Sequence, residues 1–336
     1  MNRIIKGILA GVAFFFLAGC EKGGLPNSGS VSFTASAGDE ETRTSYSGVI
    51  VTSGGVDKER IDWVVGDCFT VYSDKAATLD GSHVTDYMVE SKETTSDKLR
   101  SKAKVGSVVA HGLQWGTASG NVVFYAGYPE GTMNTTPRMT GTIPTSQTLT
   151  WSGLVGKPDM SKAYMFASAT AQAQASSVEL VFYPKFTAFE FEVSPGDNSS
   201  VALTSFELSS SSKNLAGKFT LTPSSGAMSV SSGSKKITVS LSGKTLTSGN
   251  TLKFTVFTLA KEDLTDLTIK FVGTEIGTRT LDLKNSSGTF HTYTAGRKHK
   301  ISGLSFPKTL DANGNDGIVW TYSAAGEKVT WDSGTI

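Results

Sequence analysis

The sequence predicts an all-β protein made of antiparallel β-sandwiches, and three observations predict it. Apolar and polar residues alternate with a period of two along most of the chain, the pattern of strands with one buried face. The alternating runs are short and separated by turns rich in Gly, Ser and Asn. Hydrophobic residues make up 38% of the 336 residues and charged residues 18%, with 36 Gly and 2 Cys. That composition supports packed cores and excludes both a charge-rich disordered chain and a disulfide scaffold.

Taken in order, residues 1–20 read as a lipoprotein signal peptide. Arg3 and Lys6 form a basic start, Ile8 to Leu17 an apolar run, and Leu17-Ala18-Gly19-Cys20 a lipobox ending in the cysteine that would be lipidated. The apolar run is too short to span about 30 Å of hydrocarbon comfortably. The competing reading is an ordinary signal peptide with a chance cysteine. Glu21 after the cysteine disfavours retention at the inner membrane. Once Cys20 is lipidated, Cys68 is the one thiol left, so no intrachain disulfide can form. Cys68 stands between apolar neighbours and reads as a small buried strand residue.

Residues 21–30 form a Gly-, Ser- and Pro-containing tether. Val31, Phe33 and Ala35 then open the period-two pattern, and Ile61, Trp63 and Val65 continue it. Phe189, Phe191 and Val193 repeat it, as do Ile237, Val239 and Leu241, then Leu252, Phe254 and Val256, then Leu267, Ile269 and Phe271. The polar stretch Glu90–Lys104 is the best candidate for a short helix. Ala167–Ser177 lacks alternation and precedes the apolar Val178–Tyr183, which places a first domain at 31–175 and a second at 178–306. Pro307 opens a tail, 307–336. Its Asp311–Gly317 segment reads as a hinge before two short strand-like pieces, Ile318–Tyr322 and Lys328–Trp331.

Function classes narrow by subtraction. Basic and acidic residues number 31 and 30, a net charge of +1, which disfavours nucleic-acid binding. The chain has no G-x-S-x-G, H-E-x-x-H, Walker A or G-x-G-x-x-G motif. Its four histidines, His83, His111, His291 and His299, have no metal-ligand spacing. Nothing marks out a pair of glycosidase carboxylates. The Asp311–Gly317 segment has Asp316 and Tyr322 where a calcium loop needs Gly and an acid. Arg297–Lys300 reads as the charged start of an edge strand, where Lys discourages sheet-to-sheet association. Trp115, Trp151, Tyr125 and Tyr128 could stack on sugars or pack in the core. The chain reads as non-enzymatic, with no cofactor and no metal.

Several segments together resemble the fimbrillin family, lipoprotein subunits and related surface proteins of type V pili. They are Thr42-Arg-Thr-Ser-Tyr46; Arg60-Ile-Asp-Trp63 with Gly66-Asp67 and Phe69-Thr-Val-Tyr72; Tyr164-Met-Phe-Ala-Ser168 with Val178-Glu-Leu-Val-Phe-Tyr-Pro184 and Phe189–Val193; and Thr294-Ala-Gly-Arg-Lys298. Where many members carry a His after the apolar strand, this chain has Pro184-Lys185. The resemblance implies two transthyretin-like β-sandwich domains. It implies an outer-membrane lipid anchor through Cys20 and removal of the first strand by an arginine-specific protease. The emptied groove would then take a strand from another fimbrial subunit.

On that reading Val31–Ser36 is the removable strand and Arg43, in the polar loop Gly38–Thr44, is the processing site, with Arg60 as a competitor. Ile318, Trp320 and Tyr322, then Val329 and Trp331, are the donor-strand candidates, since apolar side chains on alternate positions suit a neighbour's groove. The tail could instead fold back on its own second domain. The leading function is a structural subunit of a cell-surface fimbria. The alternative is a monomeric surface lipoprotein that binds glycans or host ligands.

Overall fold

The structure, a computed structural model, describes residues 30–36, 45–53, 56–92, 98–103, 112–196, 200–284, 288–306, 308–310, 316–318 and 328–332. The strands come first as β1 (Phe33–Ser36), β2 (Ser45–Ser53), β3 (Val56–Asp62), β4 (Cys68–Ser73), β5 (Val84–Lys92), β6 (Lys98–Ala103), β7 (Asn121–Tyr128), β8 (Met139–Ile143) and β9 (Ser146–Gln147). Next are β10 (Leu149–Ser152), β11 (Val155–Pro158), β12 (Met165–Gln172), β13 (Val178–Leu180), β14 (Tyr183–Pro184), β15 (Phe186–Ser194), β16 (Ser200–Ser210) and β17 (Ala216–Thr222). The last are β18 (Ala227–Ser234), β19 (Lys236–Thr247), β20 (Leu252–Leu259), β21 (Leu267–Gly273), β22 (Gly277–Asp282), β23 (Lys298–Ser305), β24 (Lys308–Leu310), β25 (Asp316–Ile318) and β26 (Lys328–Asp332). One 3-10 turn, Met160–Lys162, is the other regular element among the described residues. The protein is all-β, as its alternation demands.

Four sheets carry most of the packing. The first runs β13-β1-β6-β5-β4-β7-β12-β14, and the second β10-β11-β20-β15-β23-β26-β3-β2. The third is β22-β21-β16-β19-β9 and the fourth β18-β17-β8. The second and third sheets pack face to face. Phe191 and Phe254 of the second meet Phe206 of the third at ring distances of 4.7 and 4.9 Å, and Phe271 lies 4.9 Å beyond Phe206. Every residue of the runs Phe189–Val193, Ile237–Leu241, Leu252–Val256 and Leu267–Phe271 that the alternation assigns to the core is buried.

The two sequence spans exchange strands. Residues 139–158, inside the first span, supply β8 to β17, β9 to β19 and β11 to β20. In return β13 pairs with β1 in the first sheet. Gln147 cements the exchange. Its side-chain amide donates to the Phe257 carbonyl at 2.6 Å and accepts from the Phe257 N–H at 2.9 Å, as a strand backbone would. The stretch 167–177 begins as strand: Ala167, Ala169 and Ala171 turn inward along β12, paired with β7.

Three expectations are corrected. The described residues of Glu90–Lys104 are not helical; they hold the end of β5 and all of β6, paired antiparallel. A register shift between Val89 and Ser91 inserts one extra residue, and such a bulge hides a period of two from any reading of the sequence. Val65 is 60% exposed, because β3 ends at Asp62 and a turn follows; Gly66 has a φ of 100°, and Asp67 accepts from the Val64 N–H at 2.9 Å. Arg297–Lys300 does not start an edge strand. β23 has β15 on one side and β26 on the other, and Lys298 is buried against Glu190 at 2.7 Å.

A carboxylate clamps the turn after β16. Asp266 accepts from the Ser210 hydroxyl at 2.5 Å, the Ser211 hydroxyl at 2.6 Å and the Ser212 N–H at 2.7 Å. Burial pushes its carboxyl up, but these hydrogen bonds outweigh that and hold it at about 2. A depressed folded value stabilises above the ordinary 3.8 and loses that contribution as pH falls toward 2. Asp266→Ala is expected to cost about 1–2 kcal/mol at pH 7, discounted for its partial exposure, and to flatten the stability curve between pH 4 and 2. Urea titrations across that range check it, and an unchanged slope would dismiss the clamp.

Candidate functional site: the slot of the first strand

β1 is four residues long, yet it is paired along both edges. Phe33, Thr34 and Ala35 run parallel to Val178, Glu179 and Leu180 of β13. Phe33 to Ser36 run antiparallel to Ser101 back to Lys98 of β6. Just before it, the Val31 N–H donates to the Leu113 carbonyl at 2.7 Å, and the Val178 N–H donates to the Ser32 carbonyl at 2.9 Å. Such a strand is an insert between two partners. Without it β6 and β13 would face each other across about 10 Å, twice the strand spacing, each with a row of unpaired N–H and C=O groups.

Side chains give the slot its shape. Phe33 is fully buried, edge-on to Tyr87 at 4.7 Å and to Phe124 at 5.3 Å. Val31, Leu113, Val178 and Leu180 are buried around it. The Tyr87 hydroxyl accepts from the Leu113 N–H at 2.8 Å and donates to the Val31 carbonyl at 3.5 Å. Burial pushes the Tyr87 phenol well up, so it stays protonated and can donate at any physiological pH. The slot therefore asks an occupant for alternate apolar side chains and a carbonyl for Tyr87. Val31 and Phe33 were legible as that occupant from alternation; Tyr87, Leu113 and Phe124, which form its walls, were not. Tyr87 lies just before the bulge that obscured β5, and nothing local marks it.

The other candidates are placed as follows. Cys20, Arg43, Trp320 and Tyr322 lie outside the described residues. Arg60 is in β3, level with Asp332 of β26. Ile318 ends β25, which pairs antiparallel with β24. Val329 pairs with Lys298 of β23 and Trp331 with Glu59 of β3, so in this chain β26 bridges the second sheet to the β2–β3 hairpin.

Trp115 and Tyr128 are core residues, against Phe124 at 5.6 Å and Trp63 at 5.0 Å respectively. Trp151 is covered on both sides. Lys244 Nζ sits 4.5 Å from its ring, and a Cβ on Gly156 would come within 2.7 Å of it. Tyr125 alone of the four is set on an outer sheet face, partly exposed. Cys68 is half-buried at the start of β4, its thiol donating to the Gly66 carbonyl at 3.3 Å. Trp63 of the family-like segment is a core keystone, edge-on to Phe69, Tyr128 and Phe182.

No family model and no curated protein matches the chain. Solved structures do. A candidate cell-adhesion protein from Bacteroides ovatus is similar with a TM-score of 0.51 and 15% identity, over 80% of this chain and 89% of that one. Another from Bacteroides uniformis gives 0.48 and 15%, over 89% and 99%. The fimbrial anchor protein Mfa2 from Porphyromonas gingivalis gives 0.32 and 12%, over 80% and 93%. The chain shares the all-β fold of the first of these structures.

Proposed function

We propose that the chain is a non-enzymatic structural subunit of a cell-surface fimbria, exported as a lipoprotein through Cys20 and assembled by strand exchange once β1 has been removed. The observation that carries this reading is the seating of β1: a short strand, paired on both edges, with a fully buried Phe33. A strand in that position can leave as a unit, and the groups it leaves unpaired are those an incoming strand satisfies. Arg43 follows it within the polar loop of the sequence, where an arginine-specific protease could cut. The tail supplies the occupant for a neighbouring subunit, and the strand form of its second piece, β26, supports this reading. The pairing of β26 with β23 and β3 of its own chain is what the alternative of a tail folded back on its own domain expects.

The test is direct. The purified chain is treated with an arginine-specific protease and then mixed with a peptide copying residues 316–332. The expected result is a product beginning at Thr44, loss of β1, and a heat-resistant complex with the peptide; Arg43→Ala resists both steps. A trimmed chain that keeps β1 bound, or an emptied chain that ignores the peptide, overturns the reading. The monomeric ligand-binding alternative draws on one separate observation, an aromatic row on the outer face of the first sheet.

A further inference from the structure

On β4, β7 and β12 the inward residues build the core, while a second set of rings stands on the opposite face. Tyr72 and Tyr125 are level across β4 and β7, with ring centroids 6.4 Å apart and planes within 16°. Phe166 of β12, itself buried at 8% exposure, backs the row at 6.2 Å and 24°. His83, exposed, begins it at 6.5 Å from Tyr72. At the other end Tyr183, level with Phe166 across β14, is 53% exposed, and Lys185 Nζ lies 5.7 Å from the Phe166 ring.

Two features give this row a polarity. Lys185 is half-buried, and among the described residues no carboxylate pairs with it. Burial lowers its pKa, the mark of an ammonium short of a counter-charge. Two carboxylates stand at the far end, Asp74 beside Tyr72 and Asp86 accepting from Thr70 at 2.5 Å. Because β4, β7 and β12 have strand partners on both sides, this face has no free backbone edge to offer a peptide strand. It offers ring surfaces, hydroxyls and one unpaired cation.

We infer that the row from His83 through Tyr72 and Tyr125 to Lys185, which lies over the buried Phe166, is a binding platform for a carboxylated oligosaccharide, its sugar rings on the partly exposed Tyr72 and Tyr125 and its carboxylate at Lys185. Sugar faces carry C–H groups that pack on aromatic rings, and a buried-edge ammonium discriminates an acidic sugar from a neutral one by a charge-assisted hydrogen bond. The acidic far end repels the carboxylate and sets the direction in which the chain lies. None of these residues belongs to the β1 slot, so the platform and strand exchange stand or fall separately.

The test uses sialyllactose and trigalacturonate as probes, with lactose and a tetraglutamate peptide as controls, titrated against the full chain by calorimetry and by chemical-shift changes. Both acidic sugars are expected to bind at least tenfold more tightly than lactose. Lys185→Met, which keeps the stem on Phe166, is expected to erase that tenfold preference with an unchanged melting temperature. Tyr125→Ala is expected to weaken both acidic sugars. No binding, equal affinity for lactose, indifference to Lys185→Met, or tighter binding of tetraglutamate than of either sugar overturns the platform.

Discussion

Replacing Phe33 by Ala is expected to destabilise the full-length chain by about 3–5 kcal/mol, the range for emptying a buried aromatic site. The ring is fully buried between Tyr87 and Phe124, and its strand is pinned to β6 and β13 by backbone pairing. Those partners cannot close over the cavity without breaking the ladders that fix their spacing. The loss should also be local. Amides of residues 31–36 should exchange much faster, while those of β20 and β21 in the second sandwich keep their protection. Urea denaturation and hydrogen exchange read the two effects, with Val155→Ala, at a 42% exposed site, as the control. A loss below about 1 kcal/mol would show that Phe33 is not seated as described.

Lys298→Ala carries the second large effect, about 3–5 kcal/mol, because it removes the buried partner of an interior carboxylate and leaves that charge to the more exposed Lys253. Glu190 is 7% exposed and Lys298 5%, joined at 2.7 Å, with Lys253 on the other Glu190 oxygen at 3.0 Å. Glu192 ties Lys253 and Lys300 to the same ladder at 3.4 and 3.3 Å. Burial pushes the Glu190 carboxyl up, but the charges and hydrogen bonds of Lys298 and Lys253 outweigh it, and the net direction is down. The contribution is therefore present above the ordinary value of 4.5 and lost as pH falls below it. Replacing both partners, Glu190→Leu with Lys298→Met, should recover most of the loss, since an apolar pair of similar volume avoids the desolvation cost. A single variant as stable as the parent at pH 7, or a double variant no better than the single, would refute this account.

The first prediction rests on residues whose inward sense was legible without coordinates; the second rests on Lys298, whose burial was not. Alternation alone placed Val31 and Phe33 on one face, and Phe189, Phe191 and Val193 on another, because successive side chains of a strand point to opposite sides. The class of fold followed from the same periodicity. Glu190 and Glu192 alternate with those phenylalanines, so their common face was also visible, though not their partners.

What tertiary structure alone decided is which strand lies beside which. The backbone edge of every strand offers the same N–H and C=O groups, so sequence says little about its neighbour. That is why β8, β9 and β11 could join strands late in the chain, and why β13 could return to β1. It is why Lys298, charged and next to a glycine turn, reads as an edge residue until β15 and β26 enclose it. One bulged residue after Val89 hid two strands, since shifting a period of two by one reverses every side chain beyond it. Faces are written locally, in the order of the side chains; partners are chosen globally, by which edges the packed cores bring within hydrogen-bonding reach.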